Sequence, residues 1–564
     1  MQAKNWKLIS VDQTAVDALQ SALKIHPVLC EILVQRGIKT FDEAKHFFRP
    51  SLTDLHDPFL MKDMDMAVNR IIEAIGNGEK ILIYGDYDVD GTTSVALVFL
   101  FLKNIYANID YYIPNRYKEG YGISFQGIDF AAANNFSLII ALDCGIKAVD
   151  KVAYASEKNI DFIICDHHEP GDELPQAVAT LDPKRKDCSY PYKELSGCGV
   201  GFKLLQALAL QQSLPSATIE ELLDLVAVSI ASDIVPINGE NRILAFYGLK
   251  KLNENPTLGL KAIKEVSGLS TAVVDVNTVV FSLGPRINAA GRVDDAKHAV
   301  TVLINDEANF LSSENAKMLQ DFNEERKNLD KQITEEALAE IEKEQYKNRK
   351  STVLYNENWH KGVIGIVASR LIDVQYKPTI ILTLSDGKVT GSARSIKGFD
   401  LYEAIYSCKD YLIQFGGHKF AAGLTMQPEQ VENFATAFEK IAQAQLTAEM
   451  MVPEIMVDVE LPLEEISETL FNILEQMAPF GPENMRPVFM TKNLCDSGWS
   501  KIVKDEHLRI SVRMKNGKII DGIGFGLAKK WEAVDRNNFA LCYQLQMNEW
   551  NGNRNLQLLI KDIK

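Results

Sequence analysis

The sequence predicts a multi-domain α/β protein, with a parallel doubly wound sheet, then a long polar helix leading to a second α/β unit, then a C-terminal β-barrel. Three observations carry this reading. The chain has 564 residues, more than one hydrophobic core organises. Between about 71 and 304, short β-branched runs alternate with helical patterns, the mark of βαβ units. After about 450, helical periodicity gives way to alternating, strand-like runs.

Residues 1–70 read as a small helical region with a turn at Arg49-Pro50-Ser51. Lys80–Tyr84 is the first strand, Thr92–Asn104 a helix and Ile109–Pro114 the next strand. Ser137–Leu142 follows as a strand, Ile146–Asn159 as a helix, and Asp161–Cys165 and Ala177–Leu181 as strands; helices over about 199–232 close the domain. From 305 to 350 the chain is densely charged, yet Leu319, Phe322, Arg326, Leu329, Ile333 and Leu338 recur at near-helical spacing. That pattern fits a helix connecting two domains or, equally, a surface helix of one of them. Residues 351–445 form the second α/β unit, with strands near Thr352–Tyr355 and Thr379–Leu384. In 446–564, the alternation of Leu508–Met514 sets Ile510, Val512 and Met514 inward and Arg509, Ser511 and Arg513 outward. Asn551-Gly552 between apolar runs marks a tight hairpin. A five-stranded barrel of the oligonucleotide-binding (OB) type fits, with a plain capping β-domain as the alternative.

Hydrophobic residues at 46% and charged ones at 24% describe a globular chain. The N-terminus has no apolar h-region, and the longest greasy run, Val95–Leu102, falls short of the roughly 18 apolar residues a membrane span needs, so neither a secretory signal nor a span is expected. Eight cysteines without a C-x-x-C pair fit the reduced thiols of a cytoplasm rather than a disulfide framework or zinc ribbon. The net charge of −16 weighs against a polyanion-binding protein unless the acids are gathered in a metal site and the basic surface is local.

The acids are gathered. In IYGDYDVDGTTS (83–94), Asp86, Asp88 and Asp90 fall on the loop between a strand and a helix. In an open parallel sheet that loop lies at the carboxyl edge, where ligands bind. Alone, D-x-D-x-D-G is equally turn and capping chemistry. The pattern recurs, however: Asp143 follows the strand ending at Leu142, Asp166-His167-His168 follow Cys165, and Asp233 lies in ASDIVP. Carboxylates so crowded raise one another's pKa values unless cations sit among them. An oxygen-rich set with an imidazole suits Mn²⁺ or Mg²⁺ better than zinc, and two such ions about 4 Å apart are the usual device for in-line attack on phosphorus. Cys144 and Cys165 read as small packing residues. SGCGVGFK (196–203) resembles a phosphate loop but lacks the GK[ST] ending, so close packing at a helix start is the reading kept. His26, His46, His56 and His360 join no acid cluster and default to surface or packing roles.

With YGDYDVDG, LDCG, DHH at 166–168 and ASDIVP in this order, the chain resembles the DHH phosphoesterase superfamily. GPRINAAGR (284–292), WHKGVIGIVASR (359–370), GSARS (391–395) and GGHKFAAG (416–423) extend the likeness, from about 75 to the C-terminus, to its bacterial single-strand-specific exonucleases with a DHH-associated domain. The resemblance implies a DHH domain over 71–304, a connecting helix over 305–350, a DHH-associated domain over 351–445 and an OB-type barrel over 446–564. It implies two divalent ions, Mn²⁺ or Mg²⁺. Asp88 and Asp90 would each hold one, Asp143 would bridge both, and His167 and Asp233 would complete the set. His168 would face the scissile phosphate, Asp166 would orient the imidazoles, and Asp86 would support the ions directly or through water. DNA phosphates would be gripped by Arg116, Arg286, Asn288, Ser392, Arg394 and His418, with Arg509 and Arg513 holding the incoming strand. Structural ion pairing for Arg286 and Arg394, and a capped core position for His418, are the alternatives. The implied activity is 5′-to-3′ release of 5′-mononucleotides from single-stranded DNA in repair and recombination, by a cytoplasmic monomer with a single-strand-binding protein and a helicase as partners. Its rivals are a phosphodiesterase for short oligonucleotides or cyclic dinucleotides, a catalytically inactive DNA-binding scaffold and, last, an inorganic pyrophosphatase.

Overall fold

The computed structural model describes residues 4–305, 310–514, 516–535, 538–550 and 552–564. The chain forms two units, one of Val11–Asn323 with Glu468–Arg486, the other of residues 1–10, Glu324–Ser467 and Pro487–Lys564.

The first unit opens with helices α1 (Gln13–Leu23), α2 (Pro27–Gln35), α3 (Phe41–Phe48) and α4 (Met64–Asn77). Its centre is a sheet of β1 (Lys80–Gly85), β2 (Ile109–Tyr112), β3 (Phe136–Leu142), β4 (Asp161–Cys165) and β5 (Ala179–Leu181). All pairs are parallel, in the order β2-β1-β3-β4-β5. The inner stretches of the strands are apolar because both faces are covered. Ile81, Ile83, Leu138, Ile140 and Ile163 bury one face in a core with helices α5 (Val89–Lys103), α8 (Gly197–Gln211) and α9 (Leu223–Ser232). Leu82, Tyr84, Ile139 and Phe162 bury the other against α6 (Phe125–Ala133) and α7 (Val149–Glu157). Each such side chain contributes about 1.5–3 kcal/mol. Strand order reverses between β1 and β3, which puts the crevice of a doubly wound sheet at their carboxyl ends.

The helix after β1 starts at Val89, earlier than the Thr92 expected. Asp88 is its N-cap and accepts the Gly91 N–H at 3.0 Å, so Asp90 belongs to the first helical turn and not to the loop. Helices α10 (Gly239–Glu254) and α11 (Gly284–Val293) follow. The returning segment Glu468–Arg486 is fixed by Arg242 of α10. Its buried guanidinium lies 3.8 Å from the centroid of Phe47 and donates to the carbonyls of Met477 (2.9 Å), Ala478 (3.0 Å) and Phe47 (2.9 Å).

The long helix α12 runs Phe310–Ile341. Ala316 and Leu319 join the first unit's core; Ile333, Ala337 and Ile341 join one with Leu354, Val367 and Leu371 in the second unit. There β6 (Thr352–Tyr355), β7 (Thr379–Ser385), β8 (Lys388–Arg394), β9 (Gln414–His418) and β10 (Ala421–Met426) form a sheet in the order β9-β10-β8-β7-β6, only β6–β7 being parallel. Asn5–Leu8, in the region read as helical, is a short strand pairing with Glu454–Val457; four residues are too few for periodicity to reveal.

The C-terminal region, read as an OB-type β-domain, has seven strands in one sheet. They are Val459–Glu460, β11 (Phe489–Leu494), β12 (Lys501–Val503), β13 (His507–Arg513), β14 (Ile519–Gly524), β15 (Phe539–Trp550) and β16 (Asn553–Ile563). The two shortest, Val459–Glu460 and Lys501–Val503, lie at its edges. On β13, Ile510, Val512 and Met514 are buried and Arg509 and Arg513 exposed, as the alternation predicts. Ser511 is not outward: it is 2% exposed, because residues 497–500 cover it, its N–H donating to Ser500 Oγ (2.8 Å) and its carbonyl accepting the Ser497 N–H (2.9 Å). The β15–β16 hairpin closes at Trp550 opposite Asn553, with Gly552 at φ +77°; Asn551 lies outside the described residues. Among the described residues, no helix is long and apolar enough to cross a membrane.

Candidate metal centre

The reversal point of the parallel sheet collects the acids. Asp86 and Asp88 follow β1, Asp90 starts α5, Asp143 follows β3, Asp166, His167 and His168 follow β4, and Asp233 is the C-cap of α9. His167 Nε2 stands 3.2 Å from Asp143 Oδ1, 3.5 Å from Asp233 Oδ2 and 3.8 Å from Asp90 Oδ2. Ligand-type atoms of Asp143, His167 and His168 lie within 4.8 Å of one another, as do those of Asp90, His167 and Asp233.

Electrostatically the cluster is frustrated. Burial, and then the charges of Asp90 and Asp88, push the Asp143 carboxyl well above its ordinary range. Burial and Asp88 do the same to Asp86, against the pull of the Gly122 N–H. Asp88 is raised by burial and Asp90, and Asp233 is pushed up to about 8 by burial, Asp90 and Asp88. Asp143 Oδ1, Asp86 Oδ2 and both ring nitrogens of His167 are buried without a hydrogen-bond partner. Buried polar atoms are normally paired, so these orphans, with His167 Nε2 only 3.2 Å from Asp143 Oδ1, fit a cation. The donor set of carboxylates and one imidazole suits Mn²⁺ or Mg²⁺.

Asp166 has the opposite environment. Burial would raise it, but the hydrogen bond and charge of His168 and the Ile146 N–H hold it at about 2. Its Oδ1 is 2.7 Å from His168 Nδ1 and accepts the backbone N–H of His167 at 2.8 Å. His168, lowered by burial but raised more by Asp166, rises to about 9. Asp166 therefore orients one imidazole; the His167 ring makes no bond to it, contrary to the expectation that it orients both. Turned this way, His168 presents Nε2 to the Tyr121 hydroxyl at 3.2 Å. Tyr121 meets Tyr87 edge-on at 5.8 Å, and the Arg116 guanidinium lies 4.2 Å from the Tyr87 centroid, its Nε buried and unpartnered.

The glycine-rich stretch at 196–203 has a sharper role than packing. The N–H groups of Gly197 (2.7 Å) and Cys198 (2.8 Å), at the start of α8, bind the carboxylate of Asp90. The stretch cradles an anion, as a phosphate loop would, but the anion is a side chain of the protein. A Cβ on Gly197 would fall 2.7 Å from Asp143 Oδ1, so only glycine fits. Cys144 and Cys165 are free and buried.

The phosphate-binding candidates divide between the units. Arg116, Arg286 and Asn288 share the first unit with the centre. Arg286 is 8% exposed and donates to Gln320 Oε1 (2.7 Å) and the Ser282 carbonyl (2.7 Å), while Asn288 is half-buried on the same helix, α11. Ser392, Arg394 and His418 belong to the second unit and share its sheet: Arg394 pairs with Ala421, which pairs with His418, and Ser392 pairs with Gly423, which pairs with Gly416. Gly416 and Gly423 have nothing close in front of their Cα atoms, leaving the floor beside Ser392 open. Arg394 Nη1 donates to Ser392 Oγ at 3.1 Å, and burial lowers the guanidinium's pKa. His418 is exposed, with Nδ1 accepting the Phe420 N–H. Arg509 pairs with Asp521 at 2.8 Å; Arg513 is exposed.

Several site residues escaped the sequence. Ser196 caps α8, and Ser229 stands four residues before Asp233 on α9, which is one helical turn and so the same face. Tyr87 and Tyr121 carried no signal beyond lying near the motifs. Asp182 follows β5 as the other acids follow their strands; it is fully buried, and burial followed by the Asp166 charge lifts it to about 7.

Known proteins share this arrangement. Residues 80–230 match the DHH family N-terminal domain, 348–444 the DHHA1 domain and 457–562 the RecJ OB domain. The single-stranded-DNA-specific exonuclease RecJ of Bacillus subtilis is 39% identical over 99% of this chain and 70% of the relative. That of Escherichia coli is 32% identical over 98% of each. The crystal structure of Thermus thermophilus RecJ in complex with Mn²⁺ superposes with a TM-score of 0.85 at 26% identity, covering 99% of this chain and 79% of that one. Such identity, sustained along nearly the whole length and joined to the same three domain matches, means that this chain belongs to the RecJ family.

Proposed function

We propose that this chain is a divalent-metal-dependent exonuclease that degrades single-stranded DNA from its 5′ end and releases 5′-mononucleotides. One observation carries the reading: Asp143 Oδ1 and His167 Nε2 are buried, 3.2 Å apart and unpartnered. The full-length likeness to proteins named single-stranded-DNA-specific exonucleases supplies the substrate. The polarity and the product follow from the resemblance of the motifs.

Asp88, Asp90, Asp143, His167 and Asp233 would hold Mn²⁺ or Mg²⁺, with Asp86 supporting from behind. A pair of such ions, when bound, neutralises the scissile phosphate and activates water for in-line attack. The chain's own groups then act around it. Asp166 locks the His168 ring through Nδ1, so His168 Nε2 is the nitrogen free to donate to a phosphate oxygen. Tyr121 is the group a substrate displaces from that nitrogen. Arg116, flat on Tyr87, offers a planar cation to the backbone or a base. In the second unit, Ser392 and Arg394 beside side-chain-free Gly416 and Gly423 suit close approach of a strand's phosphates. Arg509 and Arg513 would hold the strand on the C-terminal sheet, with Ser511 taking no part. The net charge of −16 is compatible, because the cations that meet DNA can be few and local. Work in the cytoplasm as a monomer, with a single-strand-binding protein and a helicase, completes the proposal.

Digestion of 5′-labelled and 3′-labelled single strands and duplexes with Mn²⁺ tests it. Mononucleotides released only from 5′-labelled single strands are expected. Activity confined to dinucleotides, or none on any strand, would overturn it.

A further inference from the structure

The carboxylate of Asp90 is unlike its neighbours. A carboxylate offers about four lone-pair positions. On Asp90, Oδ1 accepts the Cys198 N–H at 2.8 Å and the Ser229 hydroxyl at 2.6 Å, which fills it; the Ser94 hydroxyl, 3.5 Å away, donates at 2.7 Å to the Asp90 carbonyl instead. Oδ2 accepts the Gly197 N–H at 2.7 Å. One position remains, on Oδ2, the oxygen 3.8 Å from His167 Nε2. Asp143 contrasts with it, its Oδ1 being buried and unpartnered.

We infer that Ser229 is a positioning residue that restricts Asp90 to one-point ligation through Oδ2 and thereby sets which divalent ion the centre accepts. The inference rests on the metal reading above. Mg²⁺, and Mn²⁺ in such oxygen-rich sites, takes octahedral sets in which each carboxylate gives one oxygen. Ca²⁺ takes roughly six to eight oxygens and readily draws both from one carboxylate. With Oδ1 occupied by Cys198 and Ser229, Asp90 cannot chelate through both oxygens, and a larger ion loses a ligand it would otherwise gain. Ser229 is held for this task. It is fully buried on α9, and its hydroxyl lies 2.7 Å from that of Ser196, which caps the helix whose first N–H groups bind the same carboxylate.

The test is calorimetric titration of the full chain with Mn²⁺ and, separately, Ca²⁺, for the natural protein, Ser229→Ala and Ser229→Thr, with melting of each metal-free protein alongside. Opening one position on Oδ1 should cost Ser229→Ala about 10–100-fold in Mn²⁺ affinity. Ca²⁺ affinity should stay the same or rise, so the Mn²⁺/Ca²⁺ ratio falls at least about tenfold, while Ser229→Thr keeps the natural ratio. Natural protein that binds Mn²⁺ beside a Ser229→Ala ratio that does not change would overturn the role of Ser229 and leave the metal reading standing. Natural protein that binds no Mn²⁺ would overturn both. Loss of the metal-free fold in Ser229→Ala would assign the hydroxyl to the scaffold and also overturn the inference.

Discussion

Nε2 of His167 lies 3.2 Å from Oδ1 of Asp143, and neither buried atom makes a hydrogen bond. Without a cation the pair is a cost to the fold; with one it is a binding site. Two consequences follow for Asp143. Asp143→Ala should reduce Mn²⁺-dependent hydrolysis of a single strand to background while strand binding is largely kept. Asp143→Asn should raise the melting temperature of the metal-free protein, because it removes a buried charge that Asp90 and Asp88 repel. Hydrolysis assays and metal-free melting check the two halves, and an unchanged rate in Asp143→Ala would point to a different centre.

The raised carboxyls also fix the pH dependence. In the metal-free fold Asp233 titrates near 8 against an ordinary 3.8, so the folded chain holds a proton the unfolded chain has lost. The stability this contributes is full below about pH 4 and is lost as pH rises through about 8. His168 works in the same direction: its stabilisation is full below its ordinary 6.5 and is lost as pH rises through about 9. Excess Mn²⁺ competes with the carboxyl protons, so its increment in melting temperature should be larger at about pH 8.5 than at about pH 5.5. Equal increments at the two pH values would contradict the assignment.

Away from the centre, Lys203 is completely buried on α8, with Nζ 3.2 Å from Glu240 Oε1 and 2.7 Å from the His56 carbonyl. Glu240 also accepts the Tyr190 hydroxyl at 2.6 Å and the His56 N–H at 2.9 Å. Lys203→Met strands a buried carboxylate and should cost about 3–5 kcal/mol, part of which Glu240→Gln in the same chain restores. Calorimetry reads the loss, and Mn²⁺ affinity should not move.

In the second unit, Arg394 donates to Ser392 Oγ and the Ala393 carbonyl. Arg394→Ala should weaken single-strand binding about tenfold or more and lower the salt slope by about one. Gly365→Ala should have a milder form of the same effect. Its Cβ would fall 2.9 Å from Ser392 Oγ and 3.1 Å from Arg394 Nη2, displacing the pair without removing it. Filter binding across a salt series measures both.

The parallel sheet was legible because its strands are buried on both faces and read as unbroken apolar runs, as in Leu138-Ile139-Ile140. Asp86, Asp88, Asp143 and Asp166 were legible because they follow such runs, and Asp233 because it ends the apolar helix α9. What escaped was set by tertiary contact. Gly197 looked like packing because the anion it binds, Asp90, is more than a hundred residues distant. Ser511 kept strand alternation but is covered by a segment whose course no periodicity records. Asp90 was placed on a loop because the capping bond from Gly91 to Asp88, which starts the helix early, is invisible until the backbone turns.

The return of Glu468–Arg486 to the first unit governs how the protein can be divided. A chain shortened after Asn323 would retain Arg242 and its Phe47 partner but lose the carbonyls of Met477 and Ala478 that receive its guanidinium, along with the segment that covers it. Dissection into independently produced halves, or a split enzyme reassembled from fragments, would therefore have to carry this nineteen-residue stretch with the metal-binding half, grafted through a linker of its own.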